Sequence, residues 1–275
     1  MSSPTTPGRI SGKRRGGPLL TLAAAAVLAL SPILPAAANA SPGDPTIVLV
    51  HGAFADATSW DGVAAELRGR GYRVVTVDNP LRGPHSDAQA VQQVLDGIQG
   101  PVVLVGHSYG GAVITNTHNA KVKANVYIAA FAPAEGEFVQ GLLSPIQFPG
   151  SRILPPALEV RPVGAGLDGY IAEPYFHDIF AQDVSAATAA TMFDHQHSAA
   201  LWANLEPSGA PSWATTPSWY LISQQDNVIP PASQRFMASR AAPSHTAEIT
   251  ASHASLVSQP VIVADTIQAA VDGTR

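Results

Sequence analysis

Val102-Val103-Leu104-Val105-Gly106-His107-Ser108-Tyr109-Gly110-Gly111-Ala112 joins an apolar β-forming run to a helix-forming one through a turn of small residues. The run predicts a buried strand over Val102 to Gly106, and a helix is expected from about Tyr109 to Asn119. Between them, Gly106 to Gly110 has the form G-x-S-x-G, which puts a serine at the apex of a sharp strand-to-helix turn with its hydroxyl above the sheet. The flanking glycines remove side chains that such strained backbone would crowd. The helix start aims free N–H groups and the positive end of its dipole at the same place, where they would stabilise negative charge on an attacked carbonyl oxygen. In isolation these letters also describe a glycine-rich turn with an incidental serine. The strand before and the helix after set this one apart.

Outward from this element, short β-branched runs alternate with amphipathic stretches, the pattern of a mostly parallel, doubly wound α/β sheet with helices on both faces. Strands are expected at Thr46 to Val50, Tyr72 to Asp78, Ala124 to Ala130, Ser218 to Ile222 and Thr246 to Thr250. Helices are expected at Thr58 to Arg70, Ser86 to Ile98, Pro231 to Ala241 and Leu256 to Val271. The rhythm breaks between Pro133 and Pro217, where Pro, Gly and aromatic residues abound. One helical stretch, Ser185 to Leu205, stands out there, so this segment, about 134–217, reads as a helical cap inserted into the sheet domain rather than as more sheet.

A serine hydroxyl is a weak nucleophile until a base takes its proton, and with this motif the partners follow in the order Ser, acid, His. His253 lies in the loop after the last expected strand and is the candidate base. Asp226, after the strand at 218–222 and before Pro230 and Pro231, is the candidate acid that would orient the imidazole. Asp226 could instead cap a turn, and Asp78 is a spare acid that fits the chain order poorly. The turn His51-Gly52-Ala53-Phe54 closes the first strand, so the backbone N–H groups of Ala53 and Tyr109 are the candidate oxyanion donors. His51, His107, His118 and His245 read as structural or surface residues. Asp194, His195 and His197 form a D-H-x-H cluster that could suggest a metal, but nearby residues supply no further ligand set and a solvated or substrate-facing helix end is the preferred reading, so no metal is assigned.

Cysteine is absent, which excludes disulfides, thiolate metal sites and a cysteine nucleophile. The first 40 positions hold Arg9, Lys13, Arg14 and Arg15 with no acid, an apolar run from Leu19 to Leu30, and Ala38-Asn39-Ala40. That is the pattern of a signal peptide cut before Ser41, and the Arg14-Arg15 pair matches twin-arginine export. A membrane anchor is the competing reading, but Ser31 and Pro32 end the run short of the about 20 residues that span a bilayer. The expectation is a secreted domain over 41–275 with no stable membrane anchor. Four of the 15 basic residues and none of the 20 acidic ones fall in the leader, so the rest has a formal charge of −9, unsuited to nucleic acid.

With these residues in place, the chain resembles the esterase-like branch of the α/β-hydrolase superfamily, which includes plant methyl esterases and hydroxynitrile lyases. The resemblance spans Thr46 to Val271. It rests on the His51 to Phe54 turn, the Gly106 to Gly111 elbow, Tyr127 to Glu137, the stretch from Asp226 through Ile229 and Pro230 to Gln234, Arg235 and Phe236, and the His253 loop. It implies the α/β-hydrolase fold, a Ser108–Asp226–His253 triad, Ala53 and Tyr109 as backbone oxyanion donors, no cofactor, and a small apolar ester or lactone as substrate. Hydroxynitrile lyases of this branch carry a lysine after the catalytic histidine and replace the glycine after the first histidine. Ala254 and Gly52 stand here, which favours hydrolysis over cyanide chemistry. A lyase or haloperoxidase-like activity on the same triad, or a catalytically silent binding protein, are the alternatives. Trp202, Trp213, Phe176, Tyr175 and Phe193 would either wall an apolar pocket or pack the insert onto the sheet. The sequence assigns no oligomeric state.

Overall fold

The computed structural model describes residues 43–275; the leader expected over 1–40 lies outside the described residues. Strand β1 (Thr46–Val50) leads through a 3-10 turn (Ala57–Trp60) into α1 (Asp61–Gly69), followed by β2 (Arg73–Val77), α2 (Pro84–Asp96), β3 (Val102–His107), α3 (Tyr109–Thr115) and β4 (Val122–Ile128). Next come β5 (Leu158–Val163), β6 (Gly166–Ile171), α4 (Glu173–Phe180), α5 (Ala186–Asp194) and β7 (Ala199–Ala200). The chain returns to the main sheet with β8 (Ser218–Ser223), α6 (Pro231–Ala241), β9 (Thr246–Ile249), α7 (Ser255–Ser258) and α8 (Pro260–Asp272).

The main sheet has the order β2-β1-β3-β4-β8-β9, and every neighbouring pair is parallel. Because side chains alternate across a strand, β1 sends Ile47 and Leu49 to one face and Val48 and Val50 to the other. The first face packs with Val103, Val105 and Ile128 against α1 and α8 through Val63, Leu67, Val263 and Ile267. The second packs with Leu104, Tyr127 and Ile222 against α2, α3 and α6 through Val91, Leu95, Ile114 and Met237. Both faces are therefore covered, the condition under which a parallel sheet is stable.

The segment between β4 and β8 departs from the expectation of helix alone. It contains a second, three-stranded sheet in the order β5-β6-β7 with antiparallel pairing. The single helix expected over Ser185 to Leu205 is only α5, capped by the Ser185 hydroxyl accepting from the Thr188 N–H at 3.1 Å. It stops at His195 because Gln196 uses its side-chain amide as a strand partner: the Ile171 N–H donates to Oε1 at 2.6 Å, and Nε2 donates to the Ile171 carbonyl at 3.1 Å. That draws the chain to the hairpin edge, where β7 pairs.

Other boundaries moved for local reasons. The helix after Ser108 ends at Thr115 rather than Asn119, with Thr115, Asn116 and Thr117 side chains bonding back to carbonyls four residues earlier. The last helix is two, α7 and α8, because Pro260 cannot donate to a helix running through it and instead opens the second.

Candidate active site

Ser108 sits between β3 and α3 with φ +54°, the left-handed region that a residue with a Cβ occupies only where its surroundings insist. Two glycines make the room. A Cβ on Gly110 would lie 2.5 Å from the Val50 carbonyl oxygen, and one on Gly52 would lie 2.6 Å from the Ser108 Cβ. Both are inside contact distance, so the turn closes only with hydrogen at these positions.

The loop after β9 brings His253 to the serine. Ser108 Oγ–H donates to His253 Nε2 at 2.8 Å, and His253 Nδ1–H donates to Asp226 Oδ2 at 2.7 Å. The carboxylate can only accept, which places the ring proton on Nδ1 and leaves Nε2 free to take a proton. All three residues are buried. Asp226 is held by four donors: the Val228 and Ile229 N–H groups on Oδ1 at 2.7 and 2.8 Å, and Gln234 Nε2 and the imidazole on Oδ2. A buried carboxylate this well satisfied points one way.

Ala53 and Tyr109 line one cavity with Ser108, of about 290 Å³. Phe54, Phe131, Val139, Leu143, Ile153 and Leu158 make it apolar, and Gln140 and Asn204 supply polar groups. None of Trp202, Trp213, Phe176, Tyr175 and Phe193 lines it. Phe176 packs against Phe180 and Phe193 instead, the Trp213 indole donates to the Pro133 carbonyl at 3.1 Å, and Trp202 is 62% exposed.

The remaining histidines have structural partners. His51 Nδ1–H donates to the Gly52 carbonyl at 2.9 Å and its Nε2 accepts from the Asn79 N–H at 2.8 Å, so it ties the first turn to the end of β2 as a neutral ring; burial lowers its pKa. Asp78, the spare acid, lies beside His51 at 3.6 Å and is largely exposed. His118 reaches the Ala210 carbonyl, and His245 stacks on Trp219. His195 pairs with Asp56 at 3.0 Å, and among the described residues no cluster of three metal-ligating side chains occurs.

A profile of the alpha/beta hydrolase family matches residues 47–266. The chain belongs to that family. Among curated relatives, a carbendazim-hydrolysing esterase of Nocardioides sp. is 33% identical over 132 residues, covering 42% of this chain and 52% of the esterase, about half its length. A pyrethroid hydrolase of Sphingobium wenxiniae is 30% identical over 242 residues, covering 80% of this chain and 85% of that enzyme. Solved structures share the fold: a pyrethroid hydrolase superposes with TM-score 0.71 at 24% identity over 83% of this chain and 98% of its own. Polyneuridine aldehyde esterase gives 0.70 at 19% identity over 82% and 98%.

In this α/β hydrolase, several residues that sequence reasoning left without a role surround the triad. Gln234 is fully buried: beyond Asp226, its Nε2 donates to the Ile229 carbonyl at 2.8 Å and its Oε1 accepts from the Ser223 N–H at 3.1 Å. Asp87, inside α2, accepts the Tyr109 phenol at 2.8 Å and backbone N–H groups of Arg82 and Gly83. Burial raises its pKa despite these donors. The His253 loop is fastened to α4 and the chain after it: the Ala254 N–H donates to the Phe180 carbonyl at 3.1 Å and the Ser252 N–H to Asp183 Oδ2 at 2.8 Å. The Phe180 ring meets the imidazole edge-to-face at 4.8 Å. On the other side, His107 Nε2–H donates to the His253 carbonyl at 2.9 Å. Burial, then the neighbouring His253, holds the His107 ring well below the usual imidazole range, so it stays neutral. The signal available for Gln234 was its place in the Asp226 to Phe236 stretch that carries the family resemblance. Asp87 and Asp183 reach the site only through tertiary folding.

Proposed function

We propose that this hydrolase cleaves a carboxylic ester or lactone through an acyl-enzyme on Ser108. The single observation carrying the reading is the unbroken, buried hydrogen-bonded chain Ser108–His253–Asp226, whose serine lines an apolar cavity. The names of the two curated relatives, an esterase and a pyrethroid hydrolase, support it. In the first half-reaction Ser108 Oγ bonds to the carbonyl carbon as its proton passes to His253 Nε2. The carbonyl oxygen becomes an oxyanion facing the Ala53 and Tyr109 N–H groups, and Asp226 stabilises the imidazolium. Collapse breaks the ester C–O bond, and the leaving alkoxide takes the proton from Nε2. Water then repeats the sequence on the acyl-enzyme and releases the acid with Ser108 restored. Residues 134–217 would act as the cap over this centre. The protein would be exported, with cleavage before Ser41, checked by N-terminal sequencing of protein recovered from the medium. A fluorophosphonate probe should add its mass to Ser108 and fail to label Ser108→Ala. Folded wild-type protein that neither takes the label nor hydrolyses p-nitrophenyl acetate would overturn the reading.

A further inference from the structure

Phe54 walls two cavities. One is the Ser108 cavity. The other, of about 460 Å³, is bounded by Phe54 and Thr58 from the turn after β1, by Thr188, Thr191 and Met192 of α5, and by Val257 of α7. Its edge carries the Asp56–His195 pair and the exposed Asp61. Phe54 holds φ +60°, a strained value for a large side chain. Its ring Cε1 lies 3.7 Å from where a Cβ on Gly169 of β6 would stand. The partition thus rests on an unfavourable backbone, with the ring in ordinary contact range of β6.

We propose that the larger cavity is the leaving-alcohol subsite of the Ser108 centre and the smaller one its acyl subsite. The substrates are then esters with an apolar, ring-sized group on the alcohol side. This rests on the ester-cleaving reading above. Three observations set the assignment. The departing oxygen must take its proton from His253 Nε2, so the alcohol lies on the imidazole side of the serine. Val257, in the helix that follows the His253 loop, lines the larger cavity, whereas no residue of 251–258 lines the smaller. The Ser108 cavity, at about 290 Å³, sits at the lower edge of the roughly 300–1,000 Å³ typical of sites for drug-sized ligands. It has room for one half of a two-ring ester, not both. Charge agrees: Asp56 and Asp61 disfavour the carboxylate product in the larger cavity, and a neutral alcohol meets no such repulsion. On this assignment the alcohol arm crosses the partition at Phe54, which lines both cavities.

Two isomeric esters test this, 1-naphthylmethyl acetate with the ring on the alcohol and methyl 1-naphthaleneacetate with the ring on the acid. Thr191→Trp fills the larger cavity from the exposed face of α5. It should lower kcat/KM for the first isomer by about tenfold or more and leave the second within about twofold, the range a misfit in an apolar pocket produces. Inhibition of p-nitrophenyl acetate hydrolysis by 1-naphthalenemethanol should weaken in parallel. Met192→Ala, which enlarges the cavity, should shift preference toward the first isomer, and thermal melts verify that both variants fold. Equal changes for both isomers, or none, overturn the subsite while the ester-cleaving reading stands on p-nitrophenyl acetate hydrolysis. Wild-type protein inert to every ester and to the fluorophosphonate overturns both.

Discussion

Gln234 donates its side-chain N–H to Asp226 Oδ2 at 2.8 Å, the same oxygen that receives the His253 imidazole at 2.7 Å. The amide therefore fixes the angle from which the carboxylate meets the ring. It can do so because its other contacts, to the Ile229 carbonyl and the Ser223 N–H, leave it no alternative rotamer with full hydrogen bonding.

Gln234→Leu should remove that guide and leave two buried backbone groups unpaired, each worth about 1–3 kcal/mol. The expected outcome is a lower Tm together with a fall in kcat of about tenfold with KM little changed, read by thermal melts and p-nitrophenyl acetate kinetics. Unchanged kcat in folded protein would show that Asp226 needs no such guide.

Asp226→Asn keeps the shape of the acid but turns the imidazole toward the wrong tautomer, and in serine hydrolases that substitution lowers kcat by about 10⁴. Steady-state kinetics measure it, with fluorophosphonate labelling of Ser108 slowing in step.

Gly52→Ala should impair the Ser108 turn, since the new methyl would sit 2.6 Å from the Ser108 Cβ. Activity should fall by about 10² or more, the scale of losing an oxyanion donor, while circular dichroism shows the fold retained. Near-native turnover would mean that the turn relaxes freely.

Burial keeps His51 and His107 neutral in the folded protein, with pKa values below the ordinary 6.5. Below that pH the unfolded chain binds protons that the folded chain does not, so stability is full near pH 7.5 and falls as the pH drops below about 6.5 until the folded pKa values are reached. The slope is at most about 1.4 kcal/mol per pH unit for each group. Urea unfolding at pH 7.5 and 5.5 measures it, and His107→Gln, whose amide can still donate to the His253 carbonyl, should flatten it.

The strand-and-turn grammar made the main sheet legible: short apolar or β-branched runs mark the six parallel strands, and G-x-S-x-G with its neighbours singles out Ser108. Chain order alone sufficed to select His253 and Asp226 from nine histidines and 20 acids, and the structure brings both to the serine. The insert was harder. β5 is mostly exposed and β6 is buried only in its second half, and the two mix charged, proline and glycine residues, so they lack the alternation that marks a half-buried strand. The end of α5 is decided by where Gln196 finds the Ile171 backbone, a contact between positions 25 apart. The cavity wall escaped for a similar reason. Sequence drew attention to large aromatic residues of the insert, but Phe176 and Phe193 pack together, Trp213 bonds to the Pro133 carbonyl and Trp202 is exposed, while Phe54, Phe131 and several aliphatic side chains line the Ser108 cavity.

The anchoring of the 251–254 loop on Phe180 and Asp183 constrains how such an enzyme can diversify. Ser108 and its turn belong wholly to the sheet domain, yet the imidazole's perch belongs partly to the inserted segment. Transplanting that segment from a homologue to alter the cavity wall would displace the His253 imidazole as well, unless the graft reproduces a carbonyl at 180 and an acceptor at 183. The cavity wall and the seat of the imidazole are inherited together here, and stepwise substitution inside the segment is the route that keeps them joined.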